Sequence, residues 1–230
     1  MVGVDPSAPA IRLVAGLGNP GPRYAWTRHN AGRLAVELLG SRLGAGRFAS
    51  RFAGRVADVR GPSGPVSLLI PTTFMNESGD SVGPAAGSLR AAPAQVLVVH
   101  DEVDLPFGVV RGKVGGGAGG HNGLRSVARG LGTGEFPRIR RGVGRPPADF
   151  RGDGADWVLM RFTEPREEVE AMVARAADMA EVVLAEGMDA AINRFHANPP
   201  GARARARRER REETAGEERE EAAAEPGGEA

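Results

Sequence analysis

The sequence predicts a single layered α/β domain in which a β-sheet is flanked by helices. Its 230 residues are 41% hydrophobic, which is enough for one ordinary core. Short apolar runs alternate along the chain with longer segments of helical periodicity. Strands that alternate with helices are typical of a sheet covered by helices. We expect one folded unit at 11–198, between a disordered segment at 1–10 and a charged, disordered tail at 199–230.

The predicted elements begin with a strand at 11–17 and a helix at 27–44, for which Thr27 is the expected N-cap. Three more strands are predicted at 55–60, 66–70 and 95–100. Three more helices are predicted at 79–90, 121–131 and 165–187. The last of these helices starts at a proline and ends at Gly187, which is a common arrangement of helix boundaries.

The tail combines two charged segments without apolar periodicity. Residues 203–211 hold six Arg and one Glu, whereas residues 212–229 hold eight Glu and one Arg. Such a segment buries too little apolar surface to order itself, although Arg–Glu pairing favours a transient helix. A solubilising tail is the simpler interpretation, and a role in binding a partner is the alternative.

The composition excludes several classes of site. The chain has no Cys, so disulfides, thiolate metal sites and a Cys nucleophile are excluded. No segment approaches the roughly 18 apolar residues of a membrane span, and the N-terminus lacks the pattern of a signal peptide. We expect a soluble, cytoplasmic protein that does not contact a membrane.

The net charge of +1 conceals a strongly basic window at 111–145. This window has one acid, Glu135, and eight cations: Arg111, Lys113, Arg125, Arg129, Arg138, Arg140, Arg141 and Arg145. A local excess of seven positive charges indicates either a surface that binds a polyanion or a solvated basic face without a partner.

Two glycine motifs occur in a context that does not support their usual function. Gly16, Gly18 and Gly21 match the GxGxxG dinucleotide motif, but adjacent prolines remove N–H donors and no acid follows at the required distance. The run at 79–83 matches the GxSxG elbow of serine hydrolases, but no apolar strand precedes it. Neither a nicotinamide site nor a Ser nucleophile is expected.

Polar residues cluster at five places among apolar or Gly-rich segments. These places are Asn19, His29-Asn30, Asn76, His100-Asp101-Glu102 and His121-Asn122. Loops at the carboxyl ends of strands converge on one crevice in α/β domains, and Asn19 and Asp101 both follow predicted strands. A His can accept a proton from water, a carboxylate can orient its ring, and neutral amides can stabilise an oxyanion. This combination indicates hydrolysis by an activated water molecule.

Simpler interpretations exist for several of these residues. Asn19 could stabilise only the turn at Pro20-Gly21, and Asn122 could be the N-cap of the following helix. A metal cluster could form at His100-Asp101-Glu102 with Asp104, but the spacing matches no known metal motif. His196 is expected to be structural and to follow the last helix.

Several blocks of this sequence resemble bacterial-type peptidyl-tRNA hydrolases over about 185 residues. The blocks are GLGNPGPRYAWTRHNAG at 16–32, followed in order by TFMNESG, HDEVDLPFG and a GGxxGGHNG segment. The resemblance implies a monomeric α/β domain with a twisted mixed sheet. It also implies hydrolysis of the ester that joins a peptide to the terminal ribose of tRNA, without a metal or another cofactor.

The resemblance also implies roles for individual residues. His29 is the expected general base, Asp101 is its orienting carboxylate, and Asn19 completes the catalytic set. Four residues are expected around the peptide and the scissile ester, namely Asn76, Asn122, Met75 and Tyr24. Lys113 and Arg140 are expected to bind phosphates of the acceptor stem.

Three residues depart from the pattern of this family. Ala118 replaces an expected His, Ile70 replaces a common Lys, and Arg141 occupies a position expected to be aliphatic. Two alternative functions stay open at this point. One is a non-catalytic RNA-binding protein on the same scaffold, as in plant organelle splicing factors of this fold. The other is a hydrolase or transferase that acts on small molecules.

Overall fold

A computed structural model describes residues 10–197 and shows one seven-stranded mixed sheet with helices on both faces. Its strands are β1 (Leu13–Gly16), β2 (Ala49–Arg51), β3 (Gly54–Gly61), β4 (Gly64–Pro71), β5 (Val96–Glu102), β6 (Val110–Val114) and β7 (Pro137–Gly142). Its helices are α1 (Ala31–Arg42), α2 (Gly79–Ser88), α3 (Asn122–Leu131), α4 (Gly154–Leu159), α5 (Arg166–Glu186) and α6 (Met188–Ala197). The predicted fold class is confirmed.

The strand order is β2-β3-β4-β1-β5-β7-β6, so the first strand of the chain lies at the centre of the sheet. β1 pairs in parallel with β4 and β5, and β5 pairs in parallel with β7. The outer pairs β2–β3, β3–β4 and β6–β7 are antiparallel. The carboxyl ends of β1 and β5 therefore lie side by side at one edge of the sheet, which is where ligands bind in such folds.

Alternate residues of the central strands pack under different helices. Val14, Leu97 and Val99 lie in a core with residues of α1, α5 and α6, whereas Leu13 and Val98 lie in a core with residues of α2 and α3. This alternation follows from the two-residue period of a strand. A smaller apolar cluster joins the start of α1 to the first half of α5 and to Phe162.

The first helix begins later than its sequence pattern indicates. The expected helix at 27–44 is a 3₁₀ turn at Arg28–Asn30 followed by α1, and Thr27 does not cap it through its side chain. The Thr27 hydroxyl instead donates to the Tyr24 carbonyl at 3.0 Å. The Asn30 side chain bonds to the Asn19 backbone, which holds the chain in a tighter turn before the helix.

The other predicted strands and helices are present with shifts of a few residues at their ends. Five elements are not predicted from the sequence, namely β2, β6, β7, α4 and α6. His196 lies inside α6 rather than after the last helix. The predicted terminal segments lie almost entirely outside residues 10–197, so their disorder stays a prediction. Within the same residues, no helix combines the length and the apolar character needed to cross a membrane.

Candidate active site

The candidate site forms where the loops that follow β1 and β5 meet. His29 lies in the 3₁₀ turn before α1 and is largely buried. The Asn30 side chain fixes this turn to the β1 loop, since it accepts from the Asn19 N–H at 2.8 Å and donates to the Asn19 carbonyl at 3.0 Å. Gly32 lets α1 begin directly against β5, because a Cβ there would lie 2.1 Å from the Val99 carbonyl oxygen. These contacts bring His29 to the end of β5.

Asp101 receives hydrogen bonds from two imidazoles. The Nδ1 of His29 lies 2.9 Å from both carboxylate oxygens of Asp101. The Nε2 of His121 lies 3.0 Å from one of them. Asp101 is 2% exposed, so its carboxylate is largely shielded from bulk solvent. The structure confirms that His29 and Asp101 are close and adds His121, which sequence reasoning grouped with Asn122 without a role of its own.

The hydrogen bonds determine which ring nitrogens carry protons. His121 accepts from the Leu124 N–H through Nδ1 at 3.3 Å, so its proton is on the Nε2 that donates to Asp101. His29 donates to Asp101 through Nδ1, so in the neutral ring Nε2 is the nitrogen without a proton. This is the form of His29 that can accept a proton from a water molecule.

The pKa values of the pair move apart, as expected for a base and its orienting carboxylate. Burial alone would raise the pKa of Asp101, but the facing His29 and His121 rings and their hydrogen bonds hold it well below its usual range. Burial lowers the pKa of His29, whereas the charge and hydrogen bond of Asp101 raise it by more. Asp101 is therefore ionised at neutral pH and stabilises a protonated His29.

His100 lies outside this cluster although it precedes Asp101. Its ring is buried, its Nδ1 lies 2.6 Å from the Asp101 carbonyl, and burial lowers its pKa to about 3. The acids considered with it for a metal cluster are also separated, since Glu102 pairs with Arg140 and Asp104 with Arg145. Within residues 10–197, the group of potential ligand residues whose nitrogen and oxygen atoms lie within 4.8 Å of one another is His29, Asp101 and His121. In this set, the ring nitrogens of His29 and His121 that face Asp101 donate hydrogen bonds to its carboxylate, so these nitrogens have no lone pair available for a metal ion.

Asn19 connects the β1 loop to the segment that follows β4. Its side-chain oxygen accepts from the Met75 N–H at 2.8 Å, and the residue is 6% exposed. Because this oxygen is occupied, the amide nitrogen is the part of the Asn19 side chain that can donate to a substrate.

Two cavities meet at His29. The first, here called the asparagine cleft, has a volume of about 450 Å³ and is lined by Asn19, Tyr24, Phe74, Met75 and Asn76, among others. The second, here called the β5 cavity, has a volume of about 240 Å³ and is lined by Asp101, Glu102, Val103, Gly119, Gly120 and His121, among others. Both are also lined by His29, Asn122 and two residues of α4, Ala155 and Val158.

All four residues predicted around the substrate line the asparagine cleft, whereas the alternative interpretation of Asn122 as a helix N-cap does not hold. His121, not Asn122, is the N-cap of α3. The reason is that His121 Nδ1 reaches the Leu124 N–H, whereas the Asn122 oxygen accepts from the Arg125 guanidinium. The orientation of the Asn122 side chain is therefore set by its hydrogen bond with Arg125 on the same helix and not by a capping hydrogen bond.

The basic window divides between surface and interior. Lys113 on β6 and Arg140 on β7 are partly exposed, and Arg140 lies 3.5 Å from Glu102 at the β5 cavity. Arg138 is buried and donates to the carbonyls of Gly116, Gly117 and Gly134, so it holds the glycine-rich loop. Arg141 is also buried. Two of the eight cations are therefore not part of a surface.

Ile70 and Ala118, like Arg141, differ from the residues expected from the resemblance, and the two lie in different surroundings. Ile70 is 1% exposed and packs in the core between β4 and α1, where a lysine would lose its solvation. Ala118 lies in the glycine-rich loop and packs at the margin of the core under α2 and α3.

Arg28 fixes the segment that carries α4 next to the turn that holds His29. Its guanidinium is fully buried, donates to the Arg161 carbonyl at 2.6 Å, and reaches both Glu164 oxygens at 3.0 Å. It also stacks 3.8 Å from the centre of the Trp157 ring. Sequence reasoning missed this residue, because an Arg beside a His has no periodic signal that distinguishes a buried position from an exposed one.

Comparison with known families matches residues 13–204 to the family described as peptidyl-tRNA hydrolase. The peptidyl-tRNA hydrolase of Mycobacterium sp. (strain KMS) is 51% identical over 187 residues, which are 80% of this chain and 96% of that protein. The protein of the same name from Mycobacterium tuberculosis is 49% identical over 80% of this chain and 97% of its own length. The crystal structure of peptidyl-tRNA hydrolase from Acinetobacter baumannii superimposes with a TM-score of 0.74 at 37% identity, covering 83% of this chain and 96% of that one.

Proposed function

Since this chain belongs to the peptidyl-tRNA hydrolase family and hydrolyses the ester bond between a peptide and tRNA, we propose that His29 is the general base of the reaction. The observation that supports this most directly is the hydrogen bond of His29 Nδ1 to both oxygens of a buried, ionised Asp101 at 2.9 Å. This bond orients the ring and leaves Nε2 able to accept a proton.

The proposed reaction proceeds through direct attack by water. Nε2 of His29 takes a proton while the water oxygen bonds to the ester carbonyl carbon. Asp101 stabilises the imidazolium that forms. Asn19 donates to the developing oxyanion through its amide nitrogen, since its oxygen is bound to the Met75 N–H. The carbon–oxygen bond to the ribose then breaks, and the leaving oxygen takes the proton back from His29, which yields the free peptide acid and tRNA.

The two cavities suggest how the substrate lies across His29. We assign the peptide to the asparagine cleft, where Tyr24 and Met75 offer apolar surface beside Asn76 and Asn122. The 3′ end of the tRNA is assigned to the β5 cavity. In support of this, Glu102 lines that cavity and pairs with Arg140 on β7. β7 pairs with β6, which carries Lys113, so both predicted phosphate-binding cations lie on strands next to this cavity. The ester is then placed at the shared wall of the two cavities.

The reaction is tested by offering purified protein two substrates, an N-acylated aminoacyl-tRNA and the free aminoacyl-tRNA. Cleavage of the first alone would support a peptidyl-tRNA hydrolase with a cleft for the acyl chain. Binding of both without cleavage would instead support the alternative of a non-catalytic RNA-binding protein. The proposal also includes action as a monomer in the cytoplasm, where peptidyl-tRNA is formed, and the oligomeric state is measured by sedimentation.

Removal of divalent metal ions is expected to leave turnover unchanged. Water activation is assigned to His29, and the nitrogens of His29 and His121 that face Asp101 donate hydrogen bonds to it. The protein is treated with EDTA, freed of the chelator and assayed in the magnesium buffer that the tRNA requires. Loss of activity that returns only after another divalent ion, such as Zn²⁺ or Mn²⁺, is added would contradict a metal-free mechanism.

Neutral replacements at Lys113 and Arg140 are expected to raise KM for full-length tRNA substrates and to leave kcat nearly constant. Each lost phosphate contact also lowers the slope of log affinity against log salt by about 0.7 to 0.9. KM is measured for Lys113→Gln and Arg140→Gln over a range of salt concentrations. Arg60→Gln is the control, because Arg60 is an exposed cation on β3, on the opposite side of the sheet centre. Unchanged KM and salt slope in both folded variants would mean that the tRNA does not cross this surface.

A further inference from the structure

Arg141 is a fully buried cation beside the candidate site. It lies on β7, and its Cα pairs with that of Asp101 on β5 and that of Val110 on β6. Paired residues of neighbouring strands direct their side chains to the same face of a sheet. Two residues earlier, Val99 and Ile139 both pack in the core under α1 and α5. Arg141 and Asp101 therefore project from the same face of the sheet.

The guanidinium of Arg141 has no conventional hydrogen-bond partner. Its Nε, Nη1 and Nη2 are all buried, and none of them is hydrogen-bonded to a protein group among residues 10–197. Burial lowers the pKa of Arg141 to about 9, and Asp101 is the charged group that opposes this decrease. The side chain is thus still cationic at neutral pH. An unpaired buried charge is costly, so a compensating interaction is expected nearby.

The other charged groups around the site are already balanced or neutral. Arg28 pairs with Glu164, Arg140 pairs with Glu102, and Arg138 is bound to backbone carbonyls. His100 is neutral, because burial lowers its pKa to about 3, and both ring nitrogens of His121 are already hydrogen-bonded, to Asp101 and to the Leu124 N–H. The residues of α5 that are buried on this side of the sheet, such as Met172, Ala176 and Met179, are apolar. The charge that Arg141 faces is therefore the carboxylate of Asp101.

We propose that Arg141 is a positioning residue for the general base, which balances the charge of Asp101 from β7 and so extends the activity of His29 to lower pH. A positive charge near an imidazole disfavours a second positive charge on the ring. With Arg141 present, His29 stays unprotonated at a pH where it would otherwise be protonated and inactive. The inference rests on the proposed role of His29 and assigns a function to the Arg where an aliphatic residue is expected.

The main test is the pH profile of kcat/KM for Arg141→Met, which removes the charge and keeps most of the volume. The midpoint of the acidic limb is expected to move upward by about half to one pH unit, whereas the plateau at high pH stays unchanged. The rate at pH 6 then falls by about three- to tenfold. Arg47→Gln is the control, because it removes an exposed cation that precedes β2 at the far edge of the sheet.

Thermal denaturation tests the pairing without any substrate. Arg141→Met is expected to keep or raise Tm, since apolar replacement of a poorly compensated buried charge is often neutral or stabilising. Asp101→Asn should lower Tm more in the wild-type background than in the Arg141→Met background. In the wild-type background the substitution leaves the Arg141 guanidinium without its counter-charge, whereas in the Arg141→Met background there is no guanidinium to compensate.

Three results would overturn the inference. The first is an acidic limb of folded Arg141→Met that coincides with that of the wild type. The second is additive effects of Asp101→Asn and Arg141→Met on Tm. The third is failure of both Arg141→Met and Arg141→Leu to fold, which would mean that the guanidinium supports the sheet rather than the site. If instead His29→Ala kept its turnover, the proposed function would fail, while the coupling in Tm would still measure the Arg141–Asp101 pairing by itself.

Discussion

Replacing His29 with alanine is expected to lower kcat by about 10² to 10⁴, the usual contribution of a general base. Asp101 holds Nδ1 of His29, so Nε2 of the neutral ring is the atom that we propose accepts the proton. Single-turnover rates on an N-acylated aminoacyl-tRNA are measured for the variant and the wild type. Binding of tRNA should change little, since the ring lies at the wall of two cavities. Tm should fall, because the buried Asp101 carboxylate loses one of its two imidazole partners.

A second histidine provides the control for this variant. His196 lies in α6, where its Nε2 accepts from the Gly112 N–H at 3.0 Å, far in the sheet order from β1. His196→Gln retains an acceptor and should leave the rate unchanged. Asp101→Asn should lose less than His29→Ala, because the amide oxygen still accepts from His29. A His29→Ala rate within twofold of the wild type would show that another group activates the water.

The same assignment determines the direction of the pH dependence. Asp101 raises the pKa of His29 above its usual value, and only the neutral ring can accept a proton. The rate of the wild type is therefore expected to rise with pH and to reach its half-maximal value above pH 6.5, the value for an unperturbed His.

Replacing Arg28 with alanine is expected to lower the free energy of unfolding by about 3 kcal/mol or more. The change removes a fully buried guanidinium, leaves Glu164 without its partner, and opens a gap beside Trp157. Denaturant titration measures the loss. The kcat/KM should fall as well, because Arg28 adjoins His29 and holds the segment whose α4 lines both cavities.

An exposed ion pair provides the matched control for Arg28. Arg51 on β2 lies 2.8 Å from Asp58 on β3, and both side chains are well exposed. Arg51→Ala should cost about 0 to 1 kcal/mol, as is usual for surface pairs. Arg28→Lys should recover part of the loss, since an ammonium keeps the charge but not the planar contacts of a guanidinium. Equal stability of Arg28→Ala and Arg51→Ala would mean that Arg28 does not anchor this segment.

The sequence predicted the parts of the fold that have strong periodicity. The buried strands β1, β4 and β5 are continuous apolar runs, and the start and end of α5 have a proline and a glycine. β6 and β7 were missed because neither is an apolar run: β6 has a Gly between two cations, and Arg140 and Arg141 are adjacent in β7 and break the alternation of a half-buried strand. Their pairing places Arg111 opposite Arg140 and Lys113 opposite Arg138. That arrangement depends on long-range register, which no local pattern contains.

The candidate site was predicted to a similar extent. His29, Asp101 and Asn19 follow strand ends or adjoin them, and the structure brings all three to one edge of the sheet. The contribution of His121 could not be predicted, because its contact with Asp101 depends on the N-terminal geometry of α3. The burial of Arg138 and Arg141 was equally unpredictable, since composition indicates surface exposure for almost every arginine.

β1 precedes the other strands of residues 10–197 in sequence, yet it occupies the centre of the sheet, between β4 and β5. β5 begins at Val96, which is 80 residues after β1 ends at Gly16. At synthesis rates of about 5 to 20 residues per second, the edge of β1 that pairs with β5 stays unpaired for roughly 4 to 16 s before β5 is synthesised. The site cannot form earlier, because His29 and Asp101 are 72 residues apart in sequence. At least 72 residues must therefore be added after His29 before its hydrogen bond to Asp101 can form.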